Sequence, residues 1–327
     1  MLNIECTHTN GYDCLDDAMA IALKKHKLNY NFVFTKSWCF NYNCKFETIG
    51  QALDGNRGDR FEILNQIFNL EFDCIDLQNK YDKYPLGNFL ESKIRKVDNV
   101  EELISDLKDI IEKENKEIII QYDTFYSPWD NLYEKYHGTH MCYVNLINQE
   151  EIELYDCWYS KIKKIKTSEC LNMTYKFIII DFEKADNIYC YNDVINKLRE
   201  ETNFERIKES LKKFKESIIQ LDIAKEFDEC TKLDYTKSLI MRNLKESIYN
   251  NMQLCILFKD LNEIKENKDV VELSEIFEKL SQKIELLRMC IAKEFLVSSL
   301  KYSNDINYYA NDIVRDSIIA IRKFEKI

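Results

Sequence analysis

Glycine and proline are nearly missing from this 327-residue chain, which has six of one and two of the other. Turn-rich β-sandwiches and disordered Pro/Gly-rich chains draw heavily on both residues, so neither class fits. No segment approaches the roughly 18 uninterrupted apolar residues of a membrane-spanning helix, and Met1 to Cys14 hold no basic stretch followed by an apolar one. Positive charge is also short, with 46 Lys and Arg against 57 Asp and Glu, a net −11. Such a chain lacks the overall positive field that nonspecific phosphate binding needs. Twelve cysteines are present, but without the dense spacing of a small secreted domain, and they read as reduced thiols. The expectation is a cytoplasmic protein that neither spans a membrane nor binds nucleic acid.

What is present divides the chain. At about 150 residues per domain the length predicts roughly two domains. Every Gly lies at or before Gly138 and both Pro at or before Pro128. From about Asn187 the apolar residues step by three and four, through Ile207, Leu211, Phe214, Ile218 and Leu221, then Ile276, Leu280, Ile284, Leu287, Ile291 and Phe295. These stripes predict packed helices, with turns at the Asn/Asp clusters Asn262 to Asp269 and Ser303 to Asn307. The earlier part is mixed. Helices are predicted over Leu15 to Lys27 and Val100 to Lys113, and strands over Glu117 to Tyr122, Met141 to Ile147, Ile152 to Tyr159 and Tyr175 to Phe182. The middle two strands form an antiparallel hairpin on this reading. The fold class is α+β, with domains at 1–185 and 186–327.

Cys14 is the most informative early residue. Asp13 suits the N-cap of the following helix and Asp16 its first turn, which puts Cys14 at the first helical position, where the dipole favours negative charge. A nucleophilic sulfur draws on that field; a small buried hydrophobe is the structural alternative. Only four histidines occur. His26 ends the amphipathic helix and reads as a solvent-facing cation. His140 begins one hairpin strand, and Asp156 lies sixteen positions on in the other. A carboxylate there can hold one ring nitrogen while the other faces a thiol. A symmetric two-residue loop at Gln149 and Glu150 would set Tyr159 opposite His140, so this pairing requires a bulge or an asymmetric loop.

The order Cys, His, Asp, with the Cys opening an early helix, resembles the papain-like fold. The segment Asp123-Thr-Phe-Tyr126-Ser-Pro128-Trp129, followed by His137-Gly-Thr-His140 and Asp156, resembles the butirosin-H N-terminal-domain type of cysteine acyltransferase. The likeness spans about residues 1 to 185. It implies a papain-like catalytic domain followed by a helical region, with Cys14 as nucleophile, His140 as base and acid, and Asp156 as orienting carboxylate. His137, Asp123, Tyr126 and Trp129 match positions that line the site or fix its loop. The implied reaction moves an acyl group from a carrier-protein thioester onto a small amine in natural-product biosynthesis, as in amide formation for closthioamide-type compounds. No cofactor is bound in that chemistry; phosphopantetheine arrives on the acyl or peptidyl carrier protein. The chain departs from the pattern at Leu146-Ile147-Asn148 and at Phe32 to Phe40.

Other assignments remain open at this level. For the oxyanion hole, the backbone N–H of Cys14 is the first donor, and Asn10 ranks above His8 and Thr9 as the second, although Asn10-Gly11 equally suits a turn. His137, His140, Cys142 and Cys157 can be drawn as a zinc set, but they lack paired Cys-x-x-Cys knuckles, and the reading is no metal. Cys39 and Cys44 sit among aromatics and read as core or pocket wall. Lys161-Ile-Lys-Lys-Ile-Lys166 is a solvated face or a landing site for an acidic carrier. A cysteine peptidase or amidase of the same fold, and a noncatalytic helical interaction protein, are the alternatives to the acyltransferase.

Overall fold

The computed structural model describes residues 6–54, 59–77, 88–91, 93–96, 100–113, 116–185, 190–227, 234–297 and 300–327. The chain forms two units, one from Met1–Val33 with Asp59–Ile188 and the other from Phe34–Gly58 with Tyr189–Ile327. The sequence predicts a single crossing near residue 185. The chain passes between the units twice more, before and after segment 34–58, in which Trp38 sets its ring edge-on against Phe204, Phe258, Phe277 and Phe324, with centroids 4.9 to 6.0 Å away. Aromatic burial of that size binds segment 34–58 to the helices.

The first unit is built on a seven-stranded sheet. In chain order its principal elements are α1 (Cys14–Lys25), α2 (Arg60–Phe68), β1 (Glu71–Asp76), β2 (Ile94–Lys96), α3 (Val100–Lys113), β3 (Lys116–Asp123), β4 (Thr139–Ile147), β5 (Glu151–Asp156), β6 (Lys161–Lys166), α4 (Thr167–Met173) and β7 (Thr174–Asp181). The strand order is β2-β1-β7-β3-β4-β5-β6, antiparallel except for β1 with β2. Strand β3 is central and buried on both faces, which explains its unbroken Ile118-Ile119-Ile120 run. Ile118, Ile120 and Tyr122 join Cys142 and Val144 of β4, and this face packs against Leu103, Ile104, Leu107 and Ile110 of α3 and Cys170 and Met173 of α4. Each such aliphatic side chain contributes about 1.5–3 kcal/mol on burial.

Helix α1 belongs to the opposite face. Its end is fixed by Glu117, a buried carboxylate that accepts from Lys25 Nζ at 2.8 Å, meets His26 Nε2 at 2.9 Å and takes the Tyr143 hydroxyl. His26 also stacks on Phe182 at 3.7 Å. It is therefore a part-buried anchor and not the solvent-facing cation that the sequence predicts.

The second unit is helical, with α5 (Tyr191–Glu201), α6 (Phe204–Ile218), α7 (Leu239–Ile264), α8 (Lys268–Val297) and α9 (Ser303–Phe324). Its striped residues Ile207, Leu211, Phe214, Leu280, Ile284, Leu287 and Ile291 are buried as predicted. The cluster Ser303 to Asn307 is not a turn: it opens α9, since Ser, Asn and Asp serve helix N-termini as readily as turns. Among the described residues, no helix is long and apolar enough to cross a membrane.

Candidate active site

Cys14 owes its position to the turn before it. Tyr12 N–H bonds Thr9 C=O at 2.9 Å, closing a turn over Asn10 and Gly11, and Gly11 takes φ 100°, a conformation that L side chains rarely adopt. Asp13 then caps α1: its Oδ1 accepts from Asp16 N–H at 2.9 Å while Asp16 Oδ2 accepts from Asp13 N–H at 3.1 Å. This reciprocal box leaves Cys14 at the first helical position, half-buried. The two acidic neighbours are themselves occupied. Asp16 receives the Tyr30 hydroxyl and lies 3.3 Å from Arg60 Nε. Asp17 meets His8 Nδ1 at 2.7 Å, and burial pushes its pKa up to about 6. Neither carboxylate stands as an uncompensated negative charge beside the thiol.

His140 is the second residue of β4 and Asp156 the last of β5. Strand β4 pairs Tyr143 with Tyr155 and Val144 with Leu154, but Leu146 with Glu153 and Ile147 with Ile152. The shift is a bulge at Asn145, the irregularity that the pairing requires. It brings His140 Nε2 to 3.0 Å from Asp156 Oδ1. Asp156 Oδ2 accepts from Trp129 Nε1–H at 2.9 Å and from the Tyr122 hydroxyl at 3.2 Å. Burial alone would raise the Asp156 pKa, but the hydrogen bond and charge of His140, helped by Trp129, hold it below the usual carboxylate range. Burial likewise opposes charge on His140, and it is outweighed by Asp156 and by interaction with the Cys14 and Cys142 thiols. The imidazole is held well above its ordinary range. His140 thus meets Asp156 directly, and the Cys14 thiol acts on the same imidazole.

A second sulfur stands close by. Donor atoms of His140, Cys142 and Asp156 all lie within 4.8 Å of one another. Cys142 follows His140 by two residues and shares its face of β4, as strand periodicity dictates. It is fully buried, and that burial drives its pKa up to about 12. Cys142 therefore remains a thiol at neutral pH, whereas Cys14 is the partly exposed sulfur at a helix N-terminus. His140, Cys142 and Asp156 could offer nitrogen, sulfur and oxygen to a metal. The wider set drawn from the sequence is not gathered: His137 turns to Asp123, and Cys157 turns to Cys6.

The remaining predicted residues sort by their contacts. Asp123 is buried, accepts the Tyr175 hydroxyl, and meets His137 Nδ1 at 2.8 Å. Burial opposes its charge, but Tyr175, His137 and the Phe125 N–H together hold its pKa below the usual range. The His137 ring stacks on Phe125 at 4.4 Å, so this pair fixes the loop before β4. Trp129 bonds Asp156, whereas Tyr126 is exposed and its ring lies 6.1 Å from that of His137. Asn10 is exposed within its turn. Cys39 accepts from Asn250 at 3.4 Å and Cys44 is exposed, both in the helical unit. The sequence reading missed Tyr122 as a partner of Asp156; the signal was its place at the end of β3, on the same face as Ile118 and Ile120.

A mainly antiparallel sheet that gathers thiol, imidazole and carboxylate in an α+β fold is consistent with a papain-like cysteine-enzyme core, and the cluster supports catalysis by a thiol nucleophile. No family model matches the chain, and no curated protein matches it.

Proposed function

We propose that the protein is a cysteine-dependent N-acyltransferase that forms an amide from a carrier-protein thioester and an amine. The observation that carries this reading is the set of contacts joining Cys14 through His140 to Asp156. A buried imidazole–carboxylate pair is costly to assemble for structure alone. The resemblance of segment 123–156 to butirosin-H-type acyltransferases supplies the reaction class.

In the first half-reaction Cys14 sulfur attacks the thioester carbonyl carbon. The oxyanion gathers at the start of α1, where first-turn N–H groups have no partners within the helix. The tetrahedral intermediate collapses to an acyl-enzyme and the carrier thiol departs with a proton from His140. An amine then attacks the acyl carbon, His140 accepts its proton, and Cys14 is released as the amide leaves. Thioester exchange is nearly balanced, and amide formation draws the sequence forward.

Strand β6 favours an anionic donor. Lys161 pairs in register with Asp156 and Lys163 with Leu154, so both side chains share the face of the orienting carboxylate. Among the described residues neither has a carboxylate partner, whereas Lys164 pairs with Glu151 and Glu153 and Lys166 with Glu169. Lys163 lies 5.9 Å from the Trp129 ring centre. Two unneutralised ammonium groups beside the site suit the acidic face or phosphodiester of a carrier.

Incubation with an acylated carrier, then an amine, tests the reading. Amide in excess of free acid is the expected result. Release of acid alone would assign a peptidase or amidase, and no acyl capture would remove the catalytic reading.

A further inference from the structure

Outside the candidate site, Cys6 and Cys157 bring two cysteine sulfurs into contact. The Cys157 thiol donates to Cys6 Sγ at 3.5 Å, and the Cys6 thiol donates to the Lys161 carbonyl at 3.3 Å. Cys6 is half-buried and Cys157 buried. Their segments already lie together, since His8 packs on Trp158 with ring centres 4.6 Å apart. The turn that carries Cys157 is held by Ser160 N–H on the Cys157 carbonyl at 2.8 Å. A disulfide has an S–S length of about 2.05 Å, so the sulfurs need close by only about 1.5 Å. The roles are also divided. The hydrogen bond from Cys157 holds the Cys6 pKa below the ordinary thiol value against the opposing effect of burial, while that same contact, with burial, holds Cys157 far above it.

We propose that Cys6 and Cys157 form a reversible dithiol modification site that reacts with small-molecule disulfides of the glutathione class. Cys6 thiolate attacks one sulfur of the oxidised compound, forming a mixed disulfide and expelling one thiolate. Cys157 sulfur then attacks the Cys6 sulfur, loses its proton and expels the second thiolate. Two protein thiols are oxidised and one small disulfide is reduced to two thiols. The product joins the residue after Asp156 to the segment that leads into Cys14. The inference stands independently of the acyltransfer reading.

The test uses the full-length Cys14→Ala protein, incubated with oxidised glutathione and mapped as peptides without reduction. A Cys6–Cys157 cross-linked peptide that dithiothreitol cleaves is the expected result. In the same background, Cys157→Ser should leave Cys6 as a stable glutathione adduct, and Cys6→Ser should leave Cys157 unmodified. A stable adduct on Cys6 while Cys157 is present would overturn the proposal. So would the absence of reaction at both while exposed Cys44 and Cys190 are modified.

Discussion

His140 and Asp156 meet at 3.0 Å because one residue, Asn145, bulges from the strand that carries the histidine. If every residue of the strand, Asn145 included, paired without a bulge, the two-residue loop at Gln149 and Glu150 would carry Tyr159 to the place opposite His140. Deleting Asn145 removes the bulge and leaves Val144–Leu154 and Leu146–Glu153 as consecutive pairs, so the register at His140 is kept. The expected outcome is retained acyl loading, with an unfolding transition lowered modestly by loss of the Asn145 Nδ2–H bond to Glu153.

Asp156→Asn removes the charge that raises the imidazole pKa. In an enzyme that works with His140 protonated, the alkaline limb of the rate profile reports that group. The limb should move to lower pH, and kcat/KM should fall on the order of 10²–10⁴-fold. Trp129→Phe removes one neutral donor and should shift the limb less. A pH profile of single-turnover acylation checks both.

Glu117 gathers Lys25, His26 and Tyr143 at the end of α1. Burial opposes its charge, but these partners hold its pKa below the ordinary carboxylate value. Its stabilising contribution is therefore complete above the unfolded-state pKa of about 4.3 and is lost as pH falls through the folded value. Glu117→Gln leaves Lys25 and His26 facing an uncharged amide. A loss of about 3–5 kcal/mol at neutral pH, with a flatter acid limb of stability, is expected in urea melts.

In the helical unit, Gly50 marks a close approach. A Cβ there would lie 2.4 Å from the backbone N of Ile240. Glu226 accepts from Gly50 N–H at 2.9 Å and also takes the N–H of Ile49, so the short helix at Ile49–Ala52 has little freedom to withdraw. Gly50→Ala should cost at least about 1–3 kcal/mol, read as a lower thermal midpoint.

Much of the site was legible because its determinants are local. Asp13 and Asp16 announce a cap, and that fixes Cys14 at a helix start. The hairpin spacing even implies the bulge, though not its place at Asn145. Three features were not legible for reasons that are not local. Segment 34–58 joins the helices through Trp38, whose partners are between 166 and 286 positions away in the chain. Strand β6 reads as a charged run because lysines line an edge strand, where the strand-to-strand hydrogen bonds come only from β5. His26 becomes an anchor because a buried glutamate from β3 reaches it, which helix periodicity alone does not reveal.

Lys161→Glu with Lys163→Glu reverses the charge beside Asp156. Acyl loading from a carrier protein should fall about tenfold or more and lose its salt dependence. Loading from a small pantetheine thioester should change far less. Equal losses with both donors would place the defect in the catalytic site instead of donor docking.

In the proposed reaction Cys14, and not the neighbouring Cys142, carries the acyl group. Intact-mass measurement after brief exposure to acylated carrier, compared among the wild-type, Cys14→Ala and Cys142→Ala proteins, tests it most directly. One acyl mass on the wild-type and Cys142→Ala proteins, and none on folded Cys14→Ala, is the predicted result. Acylation that persists in Cys14→Ala and disappears in Cys142→Ala would contradict it.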